Sequence, residues 1–114
     1  MASIKVSIIR IFDDEYYPAY AECILKDVLG VTHRFIDKLP IFTELDLDSK
    51  SIVPQDGIIR CEIIRKWEEK GESLIKASTD KPDAVETSEG ITTFILLESQ
   101  VIQDEKGKLN GETD

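Results

Sequence analysis

The sequence is short of the residues that most chemistry needs. It has a single histidine, His33, and two cysteines, Cys23 and Cys61. A zinc site wants several His or Cys ligands at characteristic spacing, and this set does not supply them. No metal and no cofactor is expected. Two cysteines in a chain long enough to bury a core do not make a disulfide framework. Both sit in strand-like runs. Two buried free thiols in a reducing cytoplasm is the first reading, and a cross-strand disulfide the second. A catalytic thiol would need a base at hand and access to substrate.

Glycine is also sparse. Gly30, Gly57, Gly71, Gly90, Gly107 and Gly111 stand singly, so no glycine-rich loop cradles a phosphate. There is no Gly-x-Ser-x-Gly nucleophile turn. No apolar run approaches the roughly 20 residues of a membrane-crossing helix. The start, Met1 to Arg10, alternates instead of forming the apolar core of a signal peptide. These absences point to a cytoplasmic protein without a membrane segment.

Positive charge is the last shortage. Fourteen Lys and Arg face 23 Asp and Glu, a net charge of −9. Proteins that neutralise phosphates usually carry the opposite sign, which argues against nucleic acid. The balance suits a basic protein partner drawn in by long-range attraction.

What the chain does have is alternation. From Gly57 to Trp67, Ile59, Cys61, Ile63 and Trp67 fall on one face, and Arg60, Glu62 and Lys66 on the other. That period of two marks a half-buried strand. The charged stretch 68–72, with Gly71 inside it, turns the chain into a second strand, 73–79. A first strand is expected over 3–12. Ile4, Val6 and Ile8 share a face there, but Ile9 and Ile11 take the other, which requires either burial on both sides or a bulge near Ile8–Ile9. Further strands are expected over 18–27, 31–38 and 91–98, the last apolar on both faces and therefore central. A short strand at 84–87 is a further possibility.

Between Leu39 and Asp56 the pattern breaks. Ile41, Phe42, Leu45, Leu47, Ile52 and Val53 favour a loop packed down as a plug, a cap or a short helical turn. Strands at roughly 8–14-residue spacing without a helical period indicate an all-β fold. A small antiparallel barrel of about six or seven strands over 3–102 fits best, with a β-sandwich as the alternative. Residues 103–114 read as a polar tail, expected to be disordered.

Candidate functional residues are few. Asp46-Leu47-Asp48 begins like a calcium loop, but Lys50 stands where a ligand is wanted, and no glycine or glutamate follows in register. His33 with Glu22 or Glu62 would be the minimum for a small enzyme. Tyr16, Tyr17, Tyr20 and Trp67 are side chains of the kind that dominate protein interfaces. Arg60, Lys66 and Lys76, joined by Trp67, could instead line a groove for single-stranded nucleic acid or an oligosaccharide, as in an OB-like barrel. Exposed edge strands would also allow a homodimer.

Three segments together carry a resemblance: Tyr17-Pro18-Ala19-Tyr20-Ala21-Glu22-Cys23, then Pro54-Gln55-Asp56-Gly57-Ile58-Ile59-Arg60-Cys61-Glu62, then Val85-Glu86-Thr87-Ser88-Glu89-Gly90 ahead of Phe94. Over residues 4–100 the chain resembles short, acidic, uncharacterised bacterial proteins of a single β domain, some of which look like immunity proteins of toxin systems. The resemblance implies a bacterial origin and carries no catalytic motif. The expected function is therefore a non-enzymatic protein-interaction module, an immunity or antitoxin role being one concrete version.

Overall fold

The computed structural model describes residues 1–103. Beyond Gln103, the polar tail expected at the C-terminus lies outside the described residues. The described chain is all-β, a curled antiparallel sheet forming a half-barrel of six strands. In chain order these are β1 (Ala2–Phe12), β2 (Tyr20–Lys26), β3 (Thr32–Lys38), a short helix α1 (Leu39–Phe42), β4 (Gln55–Glu69), β5 (Glu72–Ser78) and β6 (Thr93–Leu97). A 3-10 turn at Glu98–Gln100 leads to a two-residue strand, β7 (Val101–Ile102). The sheet order is β3-β2-β1-β4-β5-β6, and β7 returns to pair with Ser3 and Ile4 of β1. One sheet wrapped round its own core takes the place of the two facing sheets of a sandwich.

β1 contains the expected bulge. Its register against β2 shifts between Ile8 and Arg10, so Ile4, Val6 and Ile8 point inward and, past the extra residue, Ile11 does too. One inserted residue reverses every following side chain. The β2–β3 connection turns at Gly30, whose φ of +84° suits glycine. The β4–β5 hairpin closes on Lys70 and Gly71, both with positive φ (52° and 82°), the requirement of a type I′ turn. The five-residue loop expected there is a two-residue one.

Other expectations need correction. β6 ends the sheet path and is not central: Phe94 and Leu96 are buried, but Ile95 remains 39% exposed on the open face. Residues 84–87 form no strand. Val85 and Thr87 are buried there, and Thr79 ties the segment down, its Oγ1 donating to Val85 O (2.6 Å) and its carbonyl accepting the Val85 N–H (3.0 Å). That segment lies along the seam between β3 and β6. Ser88 N–H donates to Arg34 O (2.9 Å), Val28 N–H donates to Ile95 O (3.0 Å), and Phe94 meets the rings of Phe35 and His33.

The excursion after β3 is part plug, part surface. Pro40 suits the first turn of α1 because its missing N–H would have no partner there. Leu39 and Phe42 are buried, and Ile41 and Leu47 pack against the core. Leu45, Ile52 and Val53, expected to pack, are exposed. α1 sits close to β4: a Cβ on Gly57 would lie 3.0 Å from Ile8 Cγ1 and 3.2 Å from Phe42 O. Only glycine lets the two backbones approach that closely.

Cys23 and Cys61 are free and fully buried. Burial pushes their thiols up to about 12 and about 11 respectively. They are neutral packing residues.

Candidate functional site

β2 and β3 form a hairpin of seven-residue strands, and a surface feature lies at each end, roughly 20 Å apart. At the end where β1 passes into β2 lies a cleft of about 720 Å³. Its walls are the 13–19 loop and the stretch that runs from α1 to Asp48. Tyr16 and Tyr17 line it while 81% and 89% exposed, as does the exposed Leu45. Asp14, Glu44, Asp46 and Asp48 supply its charge, and no Lys or Arg is among the lining residues.

Two of these carboxylates also organise the cleft. Asp14 accepts the Ser49 N–H (2.7 Å), joining the two walls across the chain. That bond is the main reason its carboxyl is held below the usual range. Asp48 accepts the Lys50 N–H (2.9 Å) and so shapes its own turn. Asx turns of this kind are what Asp does at loop positions. Glu44 and Asp46 are exposed and make no side-chain bond among the described residues.

At the other end, Asp27 is the organiser. Its Oδ1 accepts the N–H groups of Leu29 (2.9 Å) and Val31 (3.0 Å), and its Oδ2 lies 2.8 Å from His33 Nε2. Burial works against its charge. The bonds from His33, Val31 and Leu29 outweigh it and hold the carboxyl below the usual range. The turn so fixed walls an open groove of about 620 Å³ whose opposite side includes Trp67, Leu74 and Ile95.

Trp67 is not where alternation alone puts it. The register of β4 against β5 shifts between Ile63 and Arg65, with Ile64 as the extra residue. Ile63 still faces inward with Ala77. Beyond the bulge Arg65 stands opposite Lys76, and Trp67 opposite Leu74, on the outer face. Arg65 lies over the indole, 4.4 Å from its centroid, and Trp67 Nε1 donates to Glu69 Oε1 (3.2 Å). The expectation that Trp67 shares the Cys61 face, and Lys66 the Arg60 face, is corrected by that one residue.

The remaining candidates are dispersed. Tyr20 stands near the cleft but packs toward Phe12, with ring centroids 6.1 Å apart. Arg60 is clamped by Asp83 through two bonds (2.7 and 3.1 Å), which raises its pKa further. Lys66 donates to Gln103 at the end of the barrel. Lys76 lies on the outer face between Arg65 and Ile95. Thus Tyr16 and Tyr17 come together, whereas Arg60, Lys66, Lys76 and Trp67 do not share one groove. His33 turns to Asp27 and Phe94, while Glu22 is held between Arg10 (2.9 Å) and Arg34.

Among the described residues no group of three or more His, Cys, Asp or Glu is placed to hold a metal ion, and no helix is long and apolar enough to cross a membrane. Comparison with protein-family models, curated proteins and solved structures finds no match. Sequence reasoning missed Glu44 as a partner of the tyrosines, and it missed Arg65 beside Trp67. The acidic spacing around Asp46 was a usable signal for the first. Arg65 falling on the apolar face by strict alternation, two residues before Trp67, was the signal for the second.

Proposed function

We propose that this protein is a non-enzymatic interaction module whose acidic cleft receives a basic segment of a partner protein. One observation carries the reading: two tyrosines, almost wholly exposed, stand among four carboxylates with no cation lining the same cleft. Tyrosine offers a large contact area at little entropic cost, and one-signed charge steers and orients an oppositely charged partner. An immunity or antitoxin role, in which the cleft covers a basic toxin surface, is the concrete version. The resemblance to small acidic bacterial proteins and the two buried thiols favour the bacterial cytoplasm as its compartment.

The test compares wild type with a cleft variant carrying Tyr16→Ala, Tyr17→Ala, Glu44→Lys and Asp46→Lys. Tagged proteins are exposed to a bacterial lysate at rising salt, and bound species are identified by mass. Wild type should retain a basic protein that salt releases and the variant does not hold. A partner that binds both forms equally, or one that is itself acidic, would sink the reading.

A further inference from the structure

Past the Ile64 bulge, three successive rungs of the β4–β5 ladder occupy one face of the sheet. Arg65 is opposite Lys76, Trp67 opposite Leu74, and Glu69 opposite Glu72. The order along the strands is therefore two cations, an apolar pair and two anions. On β6, Leu97 stands beside Leu74 and extends the apolar rung sideways, while Ile95, 39% exposed, stands beside Lys76.

Like charges directly opposite each other across a ladder are unfavourable, and ordinary sheets set opposite charges there. Here two like-charged rungs flank one aromatic rung. Among the described residues Arg65, Lys76 and Glu72 have no ion pair, unlike Arg10–Glu22, His33–Asp27, Arg34–Glu22 and Arg60–Asp83. The indole itself is fixed in place by Arg65 and by its bond to Glu69. An anchored aromatic between unpaired charges is the arrangement of an interface centre.

The pattern is complementary to itself. A two-fold axis running across the strands, over the Trp67–Leu74 rung, would set a second copy face to face and antiparallel. Each cationic rung then meets the other copy's anionic rung, and the half-buried Trp67 rings meet at the axis, Leu74 being only 7% exposed. Such an interface is isologous, using one patch twice. We propose that the outer face of the β4–β5 hairpin is a homodimer surface whose occupant is a second copy of this chain. The anionic rung on the same face disfavours a polyanion there. The surface is the outer face of the hairpin and forms one wall of the open groove bounded by the Asp27 turn, next to the seam between β3 and β6.

The oligomeric state tests this by light scattering and sedimentation, up to about 1 mM protein. Salt near 0.15 M screens the overall repulsion of two acidic molecules over about 8 Å while contact pairs persist. Two variants keep the fold and break the pattern: Arg65→Glu with Lys76→Glu leaves only anionic rungs, and Glu69→Lys with Glu72→Lys leaves only cationic ones. Each alone should self-associate at least roughly tenfold more weakly than wild type. Mixed together they should form a one-to-one heterodimer. A wild-type monomer at the highest concentration overturns the proposal. So does a dimer that survives in both variants, or two folded monomeric variants that fail to pair. Dimerisation unchanged in the cleft variant separates this surface from the acidic cleft.

Discussion

The acidic cleft and the β4–β5 ladder are both aromatic and charged, and they differ in how the charge is arranged. The cleft holds Asp14, Glu44, Asp46 and Asp48 around its tyrosines. The ladder sets cations at one end of its tryptophan and anions at the other. A surface of one sign repels its own copy and calls for a different molecule of opposite sign. A surface that carries both signs in symmetrical order can bind itself. The lesson is that net charge, here −9, describes only the first kind of surface. The two regions also rest on the fold differently: the cleft stands on loops pinned by α1, while the ladder is regular sheet on both strands.

That second contrast can be broken most strongly at Phe42, fully buried under the cleft wall. Phe42→Ala should cost about 3–5 kcal/mol in urea unfolding, by lost burial and the cavity left behind. Among folded molecules it should weaken partner binding at the cleft while leaving self-association intact. Equal damage to both would show that the two surfaces are not independent. Gly57→Ala probes the same support from the other side. Its new Cβ would press on Ile8 and on the α1 backbone, and a cost of about 1–3 kcal/mol is expected. An unchanged unfolding midpoint would mean that α1 can lift away from β4 freely.

At the opposite end of the β2–β3 hairpin, Asp27→Asn should destabilise by about 1–3 kcal/mol at neutral pH, since a charged acceptor of three bonds is lost. The sign with pH follows from its depressed folded pKa. The stabilisation is fully present above the unfolded value, 3.8, and disappears as pH falls through the lower folded value. The gap between wild type and variant should therefore shrink in acid unfolding below that range. A gap that widens in acid would contradict the bonding described for Asp27. The smallest effect on stability is expected at the cleft surface, where Glu44→Lys with Asp46→Lys should stay within about 0.5 kcal/mol. The same pair should nevertheless abolish capture of a basic partner, which sharpens the line between a binding surface and a structural one.

Much of this fold is legible in the chain. The alternation of Ile59, Cys61 and Ile63 describes the inner face of β4, and the clash of phase between Ile8 and Ile11 announces the bulge in β1. The second bulge also leaves a trace, since strict alternation from Ile59 would put Arg65 on the apolar face and Ile64 on the charged one, but Trp67 restores the apparent phase and hides the slip. Ile91 to Leu97 reads as a doubly buried strand because hydropathy reports a preference for burial and not a position in the sheet order. Of the candidate site, the tyrosines were evident as residue types. Their company with Glu44 was not, since the two walls meet through long-range bonds, Ser49 N–H to Asp14 across 35 residues and Leu39 N–H to Ala19 O.

By itself the sequence determined the period-two strands, the turn at Gly30 and the acidic balance, because these depend on residues near one another or on composition, whereas the free state of the two thiols follows from their burial in the fold. The tertiary structure alone decided which face Trp67 occupies and which charges stand beside it. Side chains alternate strictly along a strand, so one inserted residue turns Arg65, Trp67 and Glu69 outward together, and only the pairing with β5 determines where that residue is inserted.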